Sequence, residues 1–494
     1  MKSKFLLLLV FITNFAFAQL QNNTWYFSPT TKGILFDINT NIPVVATCHA
    51  PLTSVHGCGV AANPSSGTVL FYTDGEFVFD AGNFQMPNGS GLFSGSSCTE
   101  KAQIVQVPNT CDSFYVFSNN ADSPTMGSIH YSIVNMSLPG NGTMGQPKGD
   151  VEPISKNTSV MDSSTECFTI VPNIIGHNYW LITPVNGTSN INVYSITAFG
   201  VTYANSFNTG IIFNSSMSIK YSKLASKVAY ASVVENDPAL LIDFNDATGV
   251  LSNATIIGNT PIGTCTNIYN GWHDVEFSPD GTKIYLSKYR MYSPASAGRI
   301  YQYDLSIPGS PLTMVFNNAS TDVSKTNTGL QAGPDGKIYF IYYNTTTNDE
   351  RLIGCINNPN LAGNLCNVNP AALDLGVSQG NNGRFSRPAF FNKDIFPIIK
   401  LDPCSGTGIT ENNVDNLFLI SPNPTNGIIN LSLNIVSEKT IFTVSTIIGE
   451  KIYSENIGSK NNERIDLSKF SAGVYFCTLE TSKGRSTKKM IITK

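Results

Sequence analysis

The chain of 494 residues is long enough for more than one domain. Only 13% of its residues are charged. Of its 30 Lys and Arg residues, ten lie in residues 417–494 and two in the first four positions, whereas six of its 34 Asp and Glu residues lie in 417–494. The intervening body therefore carries 18 basic and 28 acidic residues, a net charge of −10. This balance argues against nucleic acid or an anionic membrane as partner, because phosphate contacts need clustered Lys and Arg.

The N-terminus has the pattern of a secretory signal peptide over residues 1–18. Lys2 and Lys4 precede an apolar run that closes in a small-x-small site at Ala18, which predicts cleavage before Gln19. The run is too short to span a bilayer and no other stretch is apolar enough, so we expect no transmembrane span. No cysteine follows the cleavage site, which argues against a lipoprotein anchor.

A β-hairpin recurs along residues 19–400 about every 50 residues. The clearest copies are 278–287 and 333–341, where Pro-Asp-Gly reverses the chain ahead of a strand with alternating Ile and Tyr. Weaker copies occur at 63–72, 108–117, 172–182 and 221–230. No long stretch has helical periodicity, and the chain holds 40 Gly and 26 Pro, as expected for short strands joined by turns.

Hairpins at this spacing predict an all-β fold, a β-propeller in which each blade is a four-stranded sheet. We expect the closing blade to combine both ends of the domain, with its inner strand from 387–391 and its outer strands from 25–27 and 33–37. This arrangement predicts seven blades and removes the open edges of an incomplete ring. Six or eight blades, or a pair of β-sandwiches, stay open as alternatives.

Residues 417–494 predict a separate, small antiparallel β-sandwich. A turn cluster at 421–427 precedes alternating segments at 428–433, 440–444, 451–453, 464–467, 473–479 and 488–492. The polar residues 401–416 before it predict an exposed linker.

The same region contains an ordered set of distinctive residues, namely Pro422, Asn423, Pro424, Gly427, Gly449, Gly473, Tyr475, Lys488 and Lys489. With these residues it resembles the C-terminal sorting domain of the Bacteroidetes type IX secretion system, in the variety called type A. The resemblance implies passage through the periplasm and across the outer membrane by the type IX machinery. It also implies that a surface sortase removes the domain, which leaves the protein secreted or on the outer cell surface.

The body contains a series of longer motifs, namely GTVLFYTDG at Gly67, MPNGSGLFSGSS at Met86, HNYWLI at His177, FSPDGTKIYLS at Phe277, GLQAGPDGKIYF at Gly329 and INNPNLAGNLC at Ile356. Their order resembles that of an exported propeller family of Bacteroidetes. The chain departs from the pattern at Glu100, where a glutamine is expected. The resemblance implies an extracellular propeller of the kind found on proteins tied to surface adhesion or gliding, and it implies no known reaction.

Ten cysteines in a chain with an export signal make disulfides the default expectation. Cys355 and Cys366 bracket a short loop and are the predicted pair. The connectivity of the others stays open, with two further local pairs as candidates, Cys98 with Cys111 and Cys48 with Cys58.

The densest group of residues able to do chemistry is Trp272, His273, Asp274 and Glu276. On a strand, His273 faces away from Asp274 and Glu276, so a compact catalytic triad is not expected. The favoured interpretation is a polar strand end packed between blades. The alternative is that one face of this strand lines a pocket at the mouth of the channel.

No metal or cofactor site is predicted. Cys48-His49 with His56 and Cys58 have the ligand types of a zinc site, but a disulfide between the two cysteines is favoured in an oxidising exterior. Asp74-Gly-Glu76 with Asp80 could offer oxygen ligands to calcium but lack the spacing of an EF-hand loop. Phosphate-binding loops and nucleophile elbows do not occur in the required strand-to-helix context.

Taken together, these patterns predict an exported, non-enzymatic module that binds a surface glycan or a protein. The first alternative is a secreted hydrolase or lyase that acts on a polysaccharide or lactone in the propeller channel. The second is a purely structural component of the surface layer, which would bind no soluble ligand.

Deletion of residues 417–494 should leave the propeller in the periplasm, because the sorting signal is lost while the N-terminal signal is kept. Cell fractionation and surface labelling of intact cells measure this directly. Surface display at the level of the full chain would contradict the sorting assignment.

Overall fold

The computed structural model describes residues 20–396 and 418–493 except for 28–29, 50–51, 53–56, 96–97, 122–125, 215, 235–236, 259–270, 289–297, 308, 318–327, 345–348, 378–384, 434–439, 447–448, 459, 461 and 482–483. The chain divides into two compact units, Met1–Cys404 and Ser405–Lys494. The predicted signal peptide with its cleavage site and the predicted linker lie outside the described residues. Within the described ranges, no helix is long and apolar enough to cross a membrane.

The first unit begins with three sheets. Blade 1 contains β1 (Thr24–Tyr26), β2 (Lys32–Phe36) and β3 (Pro43–Thr47), after a 3₁₀ turn at Leu20–Asn22. Blade 2 contains β4 (Gly59–Ala62), β5 (Val69–Thr73) and β6 (Val78–Asp80). Blade 3 contains β7 (Ala102–Gln106), β8 (Ser113–Asn119), β9 (Gly127–Asn135), β10 (Asp150–Val151) and β11 (Thr158–Ser164).

Four sheets of four antiparallel strands follow, each in chain order. Blade 4 contains β12 (Thr169–Asn173), β13 (Asn178–Pro184), β14 (Asn190–Thr197) and β15 (Gly200–Asn208). Blade 5 contains β16 (Ser216–Ser222), β17 (Lys227–Ser232), β18 (Ala239–Asn245) and β19 (Val250–Gly258). Blade 6 contains β20 (Trp272–Phe277), β21 (Lys283–Lys288), β22 (Arg299–Asp304) and β23 (Thr313–Asn317). Blade 7 contains β24 (Thr328–Ala332), β25 (Ile338–Asn344), β26 (Asp349–Ile356) and β27 (Val368–Asp374), with a 3₁₀ turn at Gly363–Cys366.

Hydrophobic clusters between successive blades close the ring. Each cluster packs one face of a blade against the next, from blades 1 and 2 through to blades 6 and 7. A further cluster packs blade 7 against blade 1, where Trp25 and Phe36 meet Tyr339 at ring centroid distances of 5.6 and 5.7 Å. All six predicted hairpins join the first two strands of a blade. The predicted β-propeller is therefore confirmed, and it has seven blades in the described part of the chain.

The chain returns to the start of the ring through residues 385–396, here called the closing segment. It contains β28 (Arg387–Pro388) and the one-turn helix α1 (Asn392–Ile395). Phe385 forms an antiparallel bridge with Phe27 of blade 1, and β28 then pairs in parallel with β4 of blade 2. Phe390 finally forms a parallel bridge with Val105 of blade 3. The segment thus passes the inner edges of three blades in turn.

The prediction that 387–391 supplies the inner strand of the closing blade is wrong. Arg387 and Ala389 donate their backbone N–H groups to the carbonyls of Cys58 and Val60 at 2.7 and 2.9 Å, so they extend the sheet of blade 2. Phe385 instead pairs with Phe27 of blade 1. The physical reason is that every inner strand offers an unpaired edge, and alternation in the sequence does not indicate which edge a returning segment meets.

The predicted disulfide between Cys355 and Cys366 is also wrong, since both residues carry free thiols. Cys355 on β26 packs with Tyr339 in the cluster between blades 7 and 1. Cys366 packs with Tyr285 in the cluster between blades 6 and 7. The two thiols therefore face opposite sides of blade 7, which sequence separation alone does not reveal. Burial raises the pKa of the Cys355 thiol to about 12.

The two other candidate pairs are not bridged either. Cys98 lies before β7 and Cys111 lies in the turn after it, so they occupy opposite ends of a hairpin. Five residues of β7 span about 16 Å, whereas the Cα atoms of a disulfide are at most about 7 Å apart. Cys48 and Cys58 pack in the cluster between blades 1 and 2 and carry free thiols.

The second unit is a β-sandwich of two sheets, as predicted. One sheet contains β29 (Phe418–Ser421), β30 (Ile428–Leu433) and β33 (Asn462–Asp466), and the other contains β31 (Ile441–Thr446), β32 (Lys451–Asn456), β34 (Gly473–Thr481) and β35 (Gly484–Ile492). Alternate residues of both sheets, such as Leu431, Phe442 and Leu479, form its buried core.

The predicted sorting residues are structural parts of this sandwich. Asn423 joins the opening turn to β35, because its side chain donates to the Lys489 carbonyl at 2.8 Å and accepts from the Ile491 amide at 2.9 Å. The Tyr475 hydroxyl donates to the Ser471 carbonyl at 2.8 Å. The turn that opens the domain is thus held against its last strand.

Substitution Gly427→Ala should destabilise this sandwich. Gly427 has φ = +108°, and an added Cβ would lie 2.6 Å from the Ser468 Cα. Backbone strain alone costs about 1–3 kcal/mol, and the clash adds to it. Hydrogen exchange of β30, followed by mass spectrometry on the full chain, should accelerate.

Gly473→Ala is the matched control, since its Cβ would meet only ordinary contacts of 3.7 Å or more and its φ is not left-handed. Equal exchange rates in the two variants would contradict the assigned role of Gly427.

Candidate functional site

The inner strands of the propeller surround a cavity of about 220 Å³, here called the central cavity. Blades 1, 3, 4, 5, 6 and 7 and the closing segment line it, through Asn22, Trp25, Gln103, Thr169, Ile170, Pro172, Lys220, Tyr221, Glu276, Gln331, Ala332, Arg387, Pro388 and Phe390. β28 covers the inner edge of blade 2 and takes the place of that blade in the lining.

A buried ion pair joins three blades at the cavity wall. Lys220 Nζ of blade 5 lies 2.9 Å from Glu276 Oε2 of blade 6, and the two side chains are 9% and 12% exposed. Lys220 also donates to the Leu330 carbonyl of blade 7 at 3.3 Å. Glu276 accepts from the backbone amides of Ala332 and Phe277 at 3.2 and 3.0 Å. Both carboxylate oxygens are therefore engaged.

A second buried ion pair fixes the closing segment. Arg387 Nε donates to Glu100 Oε2 at 3.0 Å, and Arg387 Nη2 donates to Glu100 Oε1, so the pair is bidentate. Burial alone would lower the pKa of Arg387, but the Glu100 carboxylate, with Asp274 and Glu276 farther away, raises it above its usual value. The unexpected glutamate at position 100 thus neutralises a buried arginine.

The four residues singled out in the sequence lie on β20 and are buried. Glu276 lines the central cavity, whereas Trp272 packs in the cluster between blades 5 and 6. The Asp274 carboxylate accepts from the Ser218 hydroxyl and from the Val275 amide. His273 is 1% exposed. The structure therefore brings Asp274 and Glu276 to the side of blade 5 and only Glu276 to the cavity.

A β-bulge on β20 modifies the expected alternation. The pairing with β21 shifts between Trp272 and Asp274. As a result Trp272 and Val275, three positions apart, pack in the same hydrophobic cluster.

The side chains considered as metal ligands form hydrogen bonds or ring contacts with neighbouring residues. Asp74 accepts from the backbone amides of Glu76 and Phe77 at 3.1 and 2.8 Å. Asp80 accepts from the Gly82 amide at 2.7 Å. His49 stacks on Tyr26, and His56 lies outside the described residues. The described residues contain no group of three or more His, Cys, Asp or Glu side chains able to hold a metal ion.

Several cavity residues were not predicted from the sequence, namely Gln103, Thr169, Lys220, Gln331 and Arg387. One signal was present, because Glu276 and Gln331 each stand three residues before the proline of a Pro-Asp-Gly turn. Polar residues at that repeat position face the cavity in two neighbouring blades. Arg387 had no such signal, because it lies outside the repeat.

Residues 419–493 match the family model described as a secretion system C-terminal sorting domain. No curated protein matched the chain. The sorting domain therefore indicates export by the type IX secretion system, with a secreted or cell-surface location.

Several solved structures match the chain in architecture, at low sequence identity. The periplasmic gluconolactonase of Pseudomonas aeruginosa is 10% identical, with a TM-score of 0.44, over 74% of this chain and 99% of that one. The β-propeller domain of Cps50 (Swd1) from Myceliophteria thermophila is 9% identical, with a TM-score of 0.38, over 66% and 91%. A protein of unknown function from Desulfotomaculum acetoxidans is 13% identical, with a TM-score of 0.35, over 80% and 95%.

Substitution Lys220→Met should destabilise the propeller by about 3–5 kcal/mol, because it leaves the Glu276 carboxylate buried without a counter-ion. Denaturant unfolding followed by tryptophan fluorescence measures this, since all three tryptophans lie in the first unit. The double variant Lys220→Met/Glu276→Gln should recover much of the loss.

The control is Lys227→Met, which removes a pair with Asp243 that is 32% and 37% exposed and should cost less than about 1 kcal/mol. Similar losses for the two lysine variants would contradict the importance of the buried pair.

Proposed function

We propose that the protein is a non-enzymatic binding module, delivered to the cell surface or medium, whose propeller binds a surface glycan or a protein. The sorting domain would be of type A, in a chain of Bacteroidetes origin. After translocation a sortase would cut within the linker at 401–416 and remove the domain from 417 onward.

The observation that carries the binding role is the state of the charged groups in the central cavity. The Glu276 carboxylate holds an ion pair and two backbone amides, and Arg387 holds Glu100 in a bidentate pair. A general acid or base has to reach the substrate with a side chain that can exchange a proton. These side chains are instead committed to neighbouring blades, which favours recognition over proton transfer.

A secreted hydrolase or lyase acting on a polysaccharide or lactone is the second candidate. The observation that favours it is the presence of one carboxylate and two cations, Glu276, Lys220 and Arg387, in the lining of a single cavity. Cations so placed could stabilise negative charge that develops on a carbonyl oxygen.

The purified full chain should bind glycans on an array without cleaving them. Binding is read by labelled protein, and turnover by the release of reducing ends from the same glycans or by ring opening of lactones. Turnover that disappears in Glu276→Gln would instead support the hydrolase or lyase. Both candidates would be contradicted if the chain showed no binding and no turnover and if deletion of the gene left cell adhesion unchanged.

A further inference from the structure

Four polar atoms of the central cavity are available to a ligand. Within the described part of the chain, no hydrogen bond is made by the Oε1 atoms of Gln103 and Gln331, the Thr169 hydroxyl or the Arg387 Nη1. None of the four is among the fully enclosed atoms without a partner, so each has accessible surface, and all four residues line the central cavity. An accessible polar atom without a protein partner can hydrogen-bond to a ligand that enters the cavity.

The protein holds these atoms in place in advance. Gln103 donates its Nε2 to the Phe168 carbonyl at 2.8 Å, and Gln331 donates its Nε2 to the Ser386 carbonyl at 3.1 Å. Each amide is thereby fixed with its oxygen as a free acceptor. The bidentate pair with Glu100 likewise fixes the Arg387 guanidinium and leaves Nη1 as a donor. Fixed groups lose little entropy on binding.

The charges of the cavity favour an uncharged ligand. Both cations, Lys220 and Arg387, are already neutralised by Glu276 and Glu100. Asp274 adds a further carboxylate close enough to raise the pKa of Arg387. Both cations are already paired, so no free positive charge attracts an anion. The three carboxylates already accept from a cation or from hydrogen-bond donors, so none is left to pair with an ammonium group. Hydroxyl groups fit best, because each can donate to a glutamine oxygen and accept from Arg387 or Thr169.

The remaining wall is apolar and the space is small. Trp25, Ile170, Pro172, Pro388 and Phe390 line the cavity beside the polar atoms. A sugar ring combines hydroxyl groups at its edge with C–H groups on its faces, and such faces pack on aromatic and proline side chains. The volume of about 220 Å³ is below the range of about 300–1,000 Å³ for drug-sized ligands. It suits one ring rather than an oligosaccharide.

We propose that the central cavity binds a single uncharged sugar ring, either free or as the end of a glycan. The hydroxyl groups of the ring meet Gln103, Gln331, Thr169 and Arg387. This assignment rests on the proposed binding function and specifies its ligand class and its site.

Titration of the full chain with D-glucose, D-galactose, D-mannose and N-acetyl-D-glucosamine tests the proposal, with D-glucuronate and D-glucosamine as charged counterparts. Isothermal calorimetry gives affinities, and tryptophan fluorescence, to which the cavity residue Trp25 contributes, gives a second readout. At least one neutral sugar should bind saturably. The charged sugars should bind at least about tenfold more weakly, as expected when one of them must bury an unpaired charge.

Substitution Thr169→Val locates the site. Its hydroxyl makes no hydrogen bond within the described residues, so the change removes a ligand contact without leaving a protein group unpaired. Affinity should fall about tenfold while the thermal midpoint stays unchanged. The matched control is Thr202→Val on the exposed outer strand β15, which should leave affinity unchanged.

Three results would overturn the proposal. One is the absence of binding by every neutral sugar, another is tighter binding of glucuronate or glucosamine, and the third is an equal affinity of the Thr169→Val and Thr202→Val variants. If a polymeric glycan or a cell-surface protein still binds in any of these cases, the proposed binding function survives and only the cavity assignment fails. Absence of all binding would contradict both the proposed binding function and the cavity assignment.

Discussion

The packing of blade 7 against blade 1 is the contact on which the rest of the propeller depends. Every blade buries both faces against its neighbours, so a ring with one gap would expose two apolar sheets at once. Trp25, Phe36 and Tyr339 fill this junction with edge-to-face aromatic contacts and are almost fully buried. These residues come from opposite ends of the domain, so the core is complete only when the whole chain has been placed.

The closing segment ties that junction to the central cavity. It starts at the bridge between Phe385 and Phe27 and then covers the inner edge of blade 2. Its Arg387 reaches Glu100 across 287 positions of sequence. Ring closure therefore delivers the guanidinium that lines the cavity, and the same residues that seal the fold also shape the space at its centre.

Buried charged side chains in this cavity connect neighbouring blades. Lys220 and Glu276 connect blades 5, 6 and 7 through an ion pair and backbone hydrogen bonds. Such pairs add little net stability when compared with apolar packing, but they are costly to break, and they hold neighbouring groups in one arrangement. A rigid cavity whose cations are paired suits the proposed recognition of a neutral molecule, and the export that the sorting domain indicates would place such recognition outside the cell.

The sequence by itself determined the local units of this protein. Pro-Asp-Gly turns and alternating strands are short-range signals, so the hairpins, the propeller class and the strands of the sorting sandwich were predictable from neighbouring residues. The tertiary structure decided everything that depends on which edges and faces meet. It placed β28 on blade 2 and Phe390 on blade 3, put Cys355 and Cys366 on opposite faces of blade 7, and gathered Gln103, Lys220 and Arg387 around one cavity. Contacts between residues hundreds of positions apart leave no local pattern, because a strand's alternation shows that a face is buried but not against what.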